Sequence, residues 1–92
     1  MKNREQIHDM LSALQWERMT KKEIKKALDD FFEGKGHTAS DPQEEKCFDY
    51  SFFYTVKKEN YLVDIEIYYL KTRDKKCFIT GTELLTYIEE KF

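Results

Sequence analysis

The chain has 92 residues, of which 40% are hydrophobic and 15% aromatic, enough to bury one core and too rich in apolar residues for intrinsic disorder. Lys and Arg number 16 against 18 Asp and Glu, a formal charge of -2, so tight, sequence-blind binding to nucleic acid, which needs a concentrated basic surface, is disfavoured. No apolar run approaches the roughly 20 residues of a membrane span, the N-terminus reads as polar helix, and two cysteines fall short of a secreted disulfide framework; a cytoplasmic protein is expected.

Asn3 with Gln6 is a capping box that opens a first helix. Ile7, Met10, Leu11 and Leu14 share one face of it at i, i+3, i+4 and i+7, and it should end near Trp16 or Glu17. Thr20 with Glu23 is a stronger box, because Met19 and Ile24 add a hydrophobic staple. Helix two then carries Ile24, Ala27, Leu28, Phe31 and Phe32 inward and stops at Gly34, which suits a left-handed position. Only about three residues separate the helices, so residues 1–34 are predicted to be a helical hairpin.

Residues 35–45 hold glycine, proline and small polar residues without periodicity, and are predicted to be a loop. From Phe48 the chain alternates: Phe48, Tyr50, Phe52, Tyr54 and Val56 are apolar, and after a turn at residues 57–60 Tyr61, Val63, Ile65, Ile67 and Tyr69 continue the phase. Pairing Val56 with Tyr61 also pairs Tyr54 with Val63, Phe52 with Ile65 and Tyr50 with Ile67, which puts every core residue on one face. A one-residue slip would bury Asp64 and Glu66. Thr72 to Lys76 forms a second turn and Cys77 to Ile79 a short third strand, completing a sheet over 46–79. A third capping box with a staple, Ile79-Thr80 with Glu83-Leu84, predicts a C-terminal helix over 80–92 with Leu84, Leu85, Ile88 and Phe92 inward. The expected architecture is a single α+β domain over 1–92, order ααβββα, with a three-stranded antiparallel meander covered by helices on one face.

Two surfaces are candidates for function. On the outer face of the hairpin the register sets Phe53 opposite Asp64, Ser51 opposite Glu66 and Asp49 opposite Tyr68, an acidic strip with exposed aromatics. Asp49, Phe53, Asp64, Glu66 and Tyr68 are therefore the candidate protein-binding residues, suited to a basic groove on a partner, with a nucleic-acid-processing enzyme as one such partner. On helix two, Lys21, Lys22, Lys25 and Lys26 line the face opposite the apolar stripe, close to the positive end of the helix dipole, and nucleic-acid binding there is the alternative. A helix-turn-helix would need a third helix where residues 34–45 are Gly/Pro loop.

Catalysis finds no motif. His8 and His37 are the only neutral-pH bases, and no phosphate loop or zincin pattern is present. His8, His37, Cys47 and Cys77 lack the paired spacing of a metal site, so no metal or cofactor is expected. With strand two central, Cys47 and Cys77 would lie about two strand spacings apart, ~9.5 Å, beyond disulfide reach. Lysine in excess of arginine, with abundant Ile, Tyr and Phe, matches AT-rich coding and a bacterial or phage source. The reading that results is a small non-enzymatic regulator or inhibitor that acts by binding another macromolecule.

Overall fold

Two capping boxes set the start of both helices. A computed structural model describes residues 2–40, 50–58 and 60–89. In it the Asn3 side chain accepts from the Gln6 N–H at 2.8 Å while the Asn3 N–H donates to Gln6 Oε1 at 2.9 Å, opening α1, Arg4–Leu14. Thr20 and Glu23 exchange the same two bonds, both at 3.1 Å, and open α2, Lys21–Phe32. Each box satisfies two donors that a helix start otherwise leaves to water.

The helical hairpin needs correction. Between the helices the chain lays down a two-residue strand, β1, Arg18–Met19, which pairs antiparallel with the last strand. Trp16 donates its N–H to the Ile79 carbonyl at 2.7 Å, and Ile79 donates back to the Glu17 carbonyl at 2.9 Å. α1 therefore lies against β5 and α2 against β3 and β1, and the helices meet the sheet more closely than each other. At the end of α2 the left-handed residue is Glu33, with φ 54°, one position before the expected Gly34. A Cβ at Gly34 would stand 3.0 Å from Lys58 Cε, the far end of a flexible side chain that can give way.

The sheet has five antiparallel strands in the order β1-β5-β4-β3-β2. Part of the predicted loop is β2, His37–Ser40, an exposed edge strand on β3; residues 41–49, Asp49 and Cys47 among them, lie outside the described residues. β3, Tyr50–Lys58, and β4, Tyr61–Lys71, form the anticipated hairpin, with Lys58 opposite Tyr61. The register is two residues from the expected one: Val56 faces Val63, Tyr54 faces Ile65, Phe52 faces Ile67 and Tyr50 faces Tyr69. The pairing runs on to Lys58 opposite Tyr61, where the expected register ended at Val56, and because the difference is even, every side chain keeps its expected face.

The largest correction is at the C-terminal end. Residues 77–89 form β5, Cys77–Glu89, not a short strand followed by a helix. The Thr80-Glu83 signal is local and worth on the order of 1 kcal/mol, whereas β4 presents a second long edge whose backbone groups require partners. β5 supplies them along the whole of β4, from Tyr61 opposite Glu89 to Lys71 opposite Cys77. Register shifts at Asp64/Ile65 and Tyr68/Tyr69 reverse the side-chain phase twice. As a result Cys77 and Ile79, then Leu84, then Tyr87 all reach the core. The order is thus αβαββββ, with two helices on one face of a curled five-stranded sheet.

The core lies between that face and the helices. Ile7, Leu11 and Leu14 of α1 and Ile24, Leu28 and Phe32 of α2 pack with Phe52, Tyr54, Val63, Ile65, Ile67 and Ile79 of the sheet. Phe32 ties the layers together, its ring 6.1 Å from both Tyr54 and Tyr61 and edge-on to Phe31 at 4.9 Å. Asp29 fixes α2 to the sheet: its Oδ1 accepts from Tyr54 OH at 2.7 Å and the Gly36 N–H at 2.8 Å, and its Oδ2 from Lys25 at 2.6 Å. Gly36 has to be glycine, because a Cβ would fall 2.3 Å from the Tyr54 ring.

Candidate interaction surfaces

The face of the sheet away from the helices carries most of the predicted protein-binding residues. Because strand side chains alternate, Phe53, Asp64, Glu66 and Tyr68 all emerge on it, half-buried among their neighbours. The two-residue register difference changes their partners. Phe53 faces Glu66 in place of Asp64, Ser51 faces Tyr68 in place of Glu66, and Asp64 faces Thr55.

Hydroxyl groups hold these carboxylates in place. Ser51 donates to Glu66 Oε2 at 2.8 Å, Tyr68 to Glu66 Oε1 at 2.7 Å, and Thr55 to Asp64 Oδ1 at 3.0 Å. β5 adds Glu83 to this surface, where it lies directly opposite Glu66. Two facing carboxylates repel, and the Tyr68 hydroxyl stands between them, with Glu83 Oε2 at 3.1 Å. The bond to Glu66, then burial, then the bond to Glu83 push the Tyr68 phenol well above its ordinary pKa. The hydroxyl therefore stays a donor at any physiological pH. Beyond the carboxylates the same face exposes Leu85 and Ile88, 42% and 47% accessible.

The lysine face of α2 is less basic than its sequence suggests. Lys25 pairs with Asp29 at 2.6 Å and Lys26 with Asp30 at 3.4 Å. Lys21 bonds Ser40 Oγ at 2.9 Å and lies about 5.5 Å from the centres of the Phe52 and Tyr69 rings. Lys22 alone of the four extends without a described partner. The groove along this side also mixes signs, with Asp29, Asp30 and Glu33 between Lys22, Lys25, Lys26 and Lys35.

Burial pushes the Asp29 carboxyl up, but the bonds from Lys25, Gly36 and Tyr54 outweigh it and leave its pKa below the ordinary value. Tyr54 is raised, first by burial and then by Asp29. This network ties α2 to the sheet at the edge of that groove.

The chain matches no family model, no curated protein and no solved structure. Function therefore rests on the site itself. His8 and His37 are both exposed, on α1 and β2 respectively. Among the described residues no three His, Cys, Asp or Glu side chains gather as a metal site, and no described helix is long and apolar enough to cross a membrane. Cys77 is buried, which raises its thiol pKa and keeps it a thiol rather than a nucleophilic thiolate.

Proposed function

We propose that the chain is a small non-enzymatic binding protein that docks through the outer face of its sheet on a basic surface of another protein, as a regulator or inhibitor. The observation that carries this reading is the group Asp64, Glu66 and Glu83, held in position by Thr55, Ser51 and Tyr68 on a face that neither described helix covers. Fixed carboxylates lose little rotamer freedom on docking, charge steers the encounter, and Phe53, Tyr68, Leu85 and Ile88 supply apolar area beside them. A nucleic-acid-processing enzyme, whose groove is built to receive a row of negative charges, is the partner class that such a strip suits.

The test is affinity capture from the native host with the wild-type chain and with the Asp64→Lys, Glu66→Lys double variant as baits. The expected outcome is a basic protein retained by the first and lost by the second, with identical circular dichroism spectra. The same proteins on both baits would remove this face from consideration. Nucleic-acid binding on Lys21, Lys22, Lys25 and Lys26 draws less support, because three of those four ammonium groups already have partners.

A further inference from the structure

The end of the outer face nearest β1 has an opposite character. α1 stops at Gln15, and Trp16 follows with φ 72°, a left-handed backbone that bulky side chains rarely adopt. The bonds that Trp16 and Glu17 make with Ile79 hold it there. No burial offsets this conformation, since Trp16 is 62% accessible, the most exposed of the large apolar residues among those described. Its ring leans beside Phe78, centroids 5.9 Å apart and planes at 40°. Phe78 in turn sits in a row across three strands, with Arg18 on one side and Leu70 on the other. Trp16, Arg18, Leu70, Lys71, Thr72 and Phe78 line an open groove of about 530 Å³, with no carboxylate among the described residues that line it.

Charges of both signs surround the pair, with cations in slight excess. The turn that follows β4 contributes Arg73 and Lys75, against Asp74 in the turn and Glu17 beside Trp16. Asp74 accepts from the Thr72 hydroxyl and lies within electrostatic reach of Arg18, Lys76 acts on Glu23 of α2, and the Lys71 ammonium lies over the Tyr50 ring at 4.5 Å on the helix-covered face.

We propose that the Trp16–Phe78 pair, with Arg18 beside Phe78, is a stacking platform for single-stranded nucleic acid. Rings left open to solvent offer a surface to any base, while Arg18 and the Arg73 and Lys75 of the adjoining turn take the phosphates. A duplex hides its base faces and cannot use such rings. A peptide would be expected to extend the sheet at this edge, but β1 is two residues long and provides almost no ladder. The carboxylates of Asp64, Glu66 and Glu83 further along the face repel phosphates and confine the strand to the Trp16 end.

Trp16 is the only tryptophan in the chain, so its emission reads this platform directly. The full-length protein, excited at the red edge of absorption where tyrosine is silent, is titrated with an oligothymidylate of about ten nucleotides, with poly-glutamate and with heparin. The expected result is saturable quenching by the oligonucleotide alone, weakening with salt at a log–log slope of roughly -2 for about three phosphates. Phe78→Ala should weaken binding about tenfold, and Arg18→Glu should weaken it and flatten the salt slope, both with unchanged circular dichroism. Trp16→Phe should keep, and Trp16→Ala lose, binding read by anisotropy of a labelled oligonucleotide. Equal quenching by poly-glutamate would reassign the platform to acidic proteins, equal quenching by heparin would reduce it to a charge patch, and no quenching would remove it; each overturns the proposal. The Asp64→Lys, Glu66→Lys variant retains the platform, so failure here is separable from failure of the acidic surface.

Discussion

At the scale of single residues, Asp29 shows how one side chain joins a helix to a sheet. Its three donors come from α2, from β3 and from the segment that leads to β2, so its loss loosens three elements together. The folded-state pKa is depressed, so this stabilisation is complete above the unfolded carboxyl's pKa and is lost as pH falls through the folded value. Asp29→Asn should lower stability at neutral pH by about 1 to 3 kcal/mol, the scale of hydrogen bonds to a charged group. It should also flatten the acid limb of a stability-versus-pH curve measured by urea unfolding; an unchanged limb would assign the acid sensitivity to other carboxylates.

At the scale of elements, one capping sequence has two outcomes. Thr20 opens α2, while Thr80, in the same local pattern, lies within β5 at a register shift. Thr20→Ala should therefore cost about 1 kcal/mol through the lost cap, and Thr80→Ala less than about 0.5 kcal/mol, compared by denaturant midpoints. Equal losses would restore a cap to Thr80. The contrast also explains what was legible in the chain. The β3–β4 hairpin could be read because its alternation is unbroken, and α1 and α2 because cap and apolar stripe agree. β5 could not, since two phase reversals scatter Ile79, Leu84 and Tyr87 over odd and even positions, where Leu84, Leu85 and Ile88 mimic a helical face. β1 is too short to carry a pattern, and β2 is an edge strand exposed at every position. Of the acidic surface, Phe53, Asp64, Glu66 and Tyr68 were readable from parity. Glu83, Leu85, Ile88 and the Trp16–Phe78 pair were not, because each depends on where β5 runs.

At the scale of the whole molecule, the fold opposes the ionisation of several phenols, by enclosing Tyr54 and Tyr61 and by bonding Tyr68 to Glu66. Burial first, then the Tyr87 and Glu89 side chains, push Tyr61 from 10.0 to about 12, and its buried hydroxyl has no hydrogen-bond partner among the described residues. Tyr54 and Tyr68 are raised as well. A raised folded pKa contributes stability that is complete below the unfolded pKa and declines as pH rises through the folded one. Stability should hold up to about pH 10 and fall between about 10 and 12, with phenolate absorbance at 295 nm appearing together with loss of the helical dichroism signal. Phenolate formation ahead of unfolding would show that these rings are solvated. The outer face is divided along its length, with carboxylates where β4 and β5 pair centrally and the Trp16–Phe78 pair near β1.

The two register shifts in β5 also govern how copies of the chain meet at high concentration. A sheet with one face clear of the described helices invites ribbon-on-ribbon piling, which requires flat, matching pleats. Each shift inserts a kink and increases the local twist, which takes away the flat run that such piling needs. The irregularity that disguised this strand thus acts as a safeguard against fibre growth.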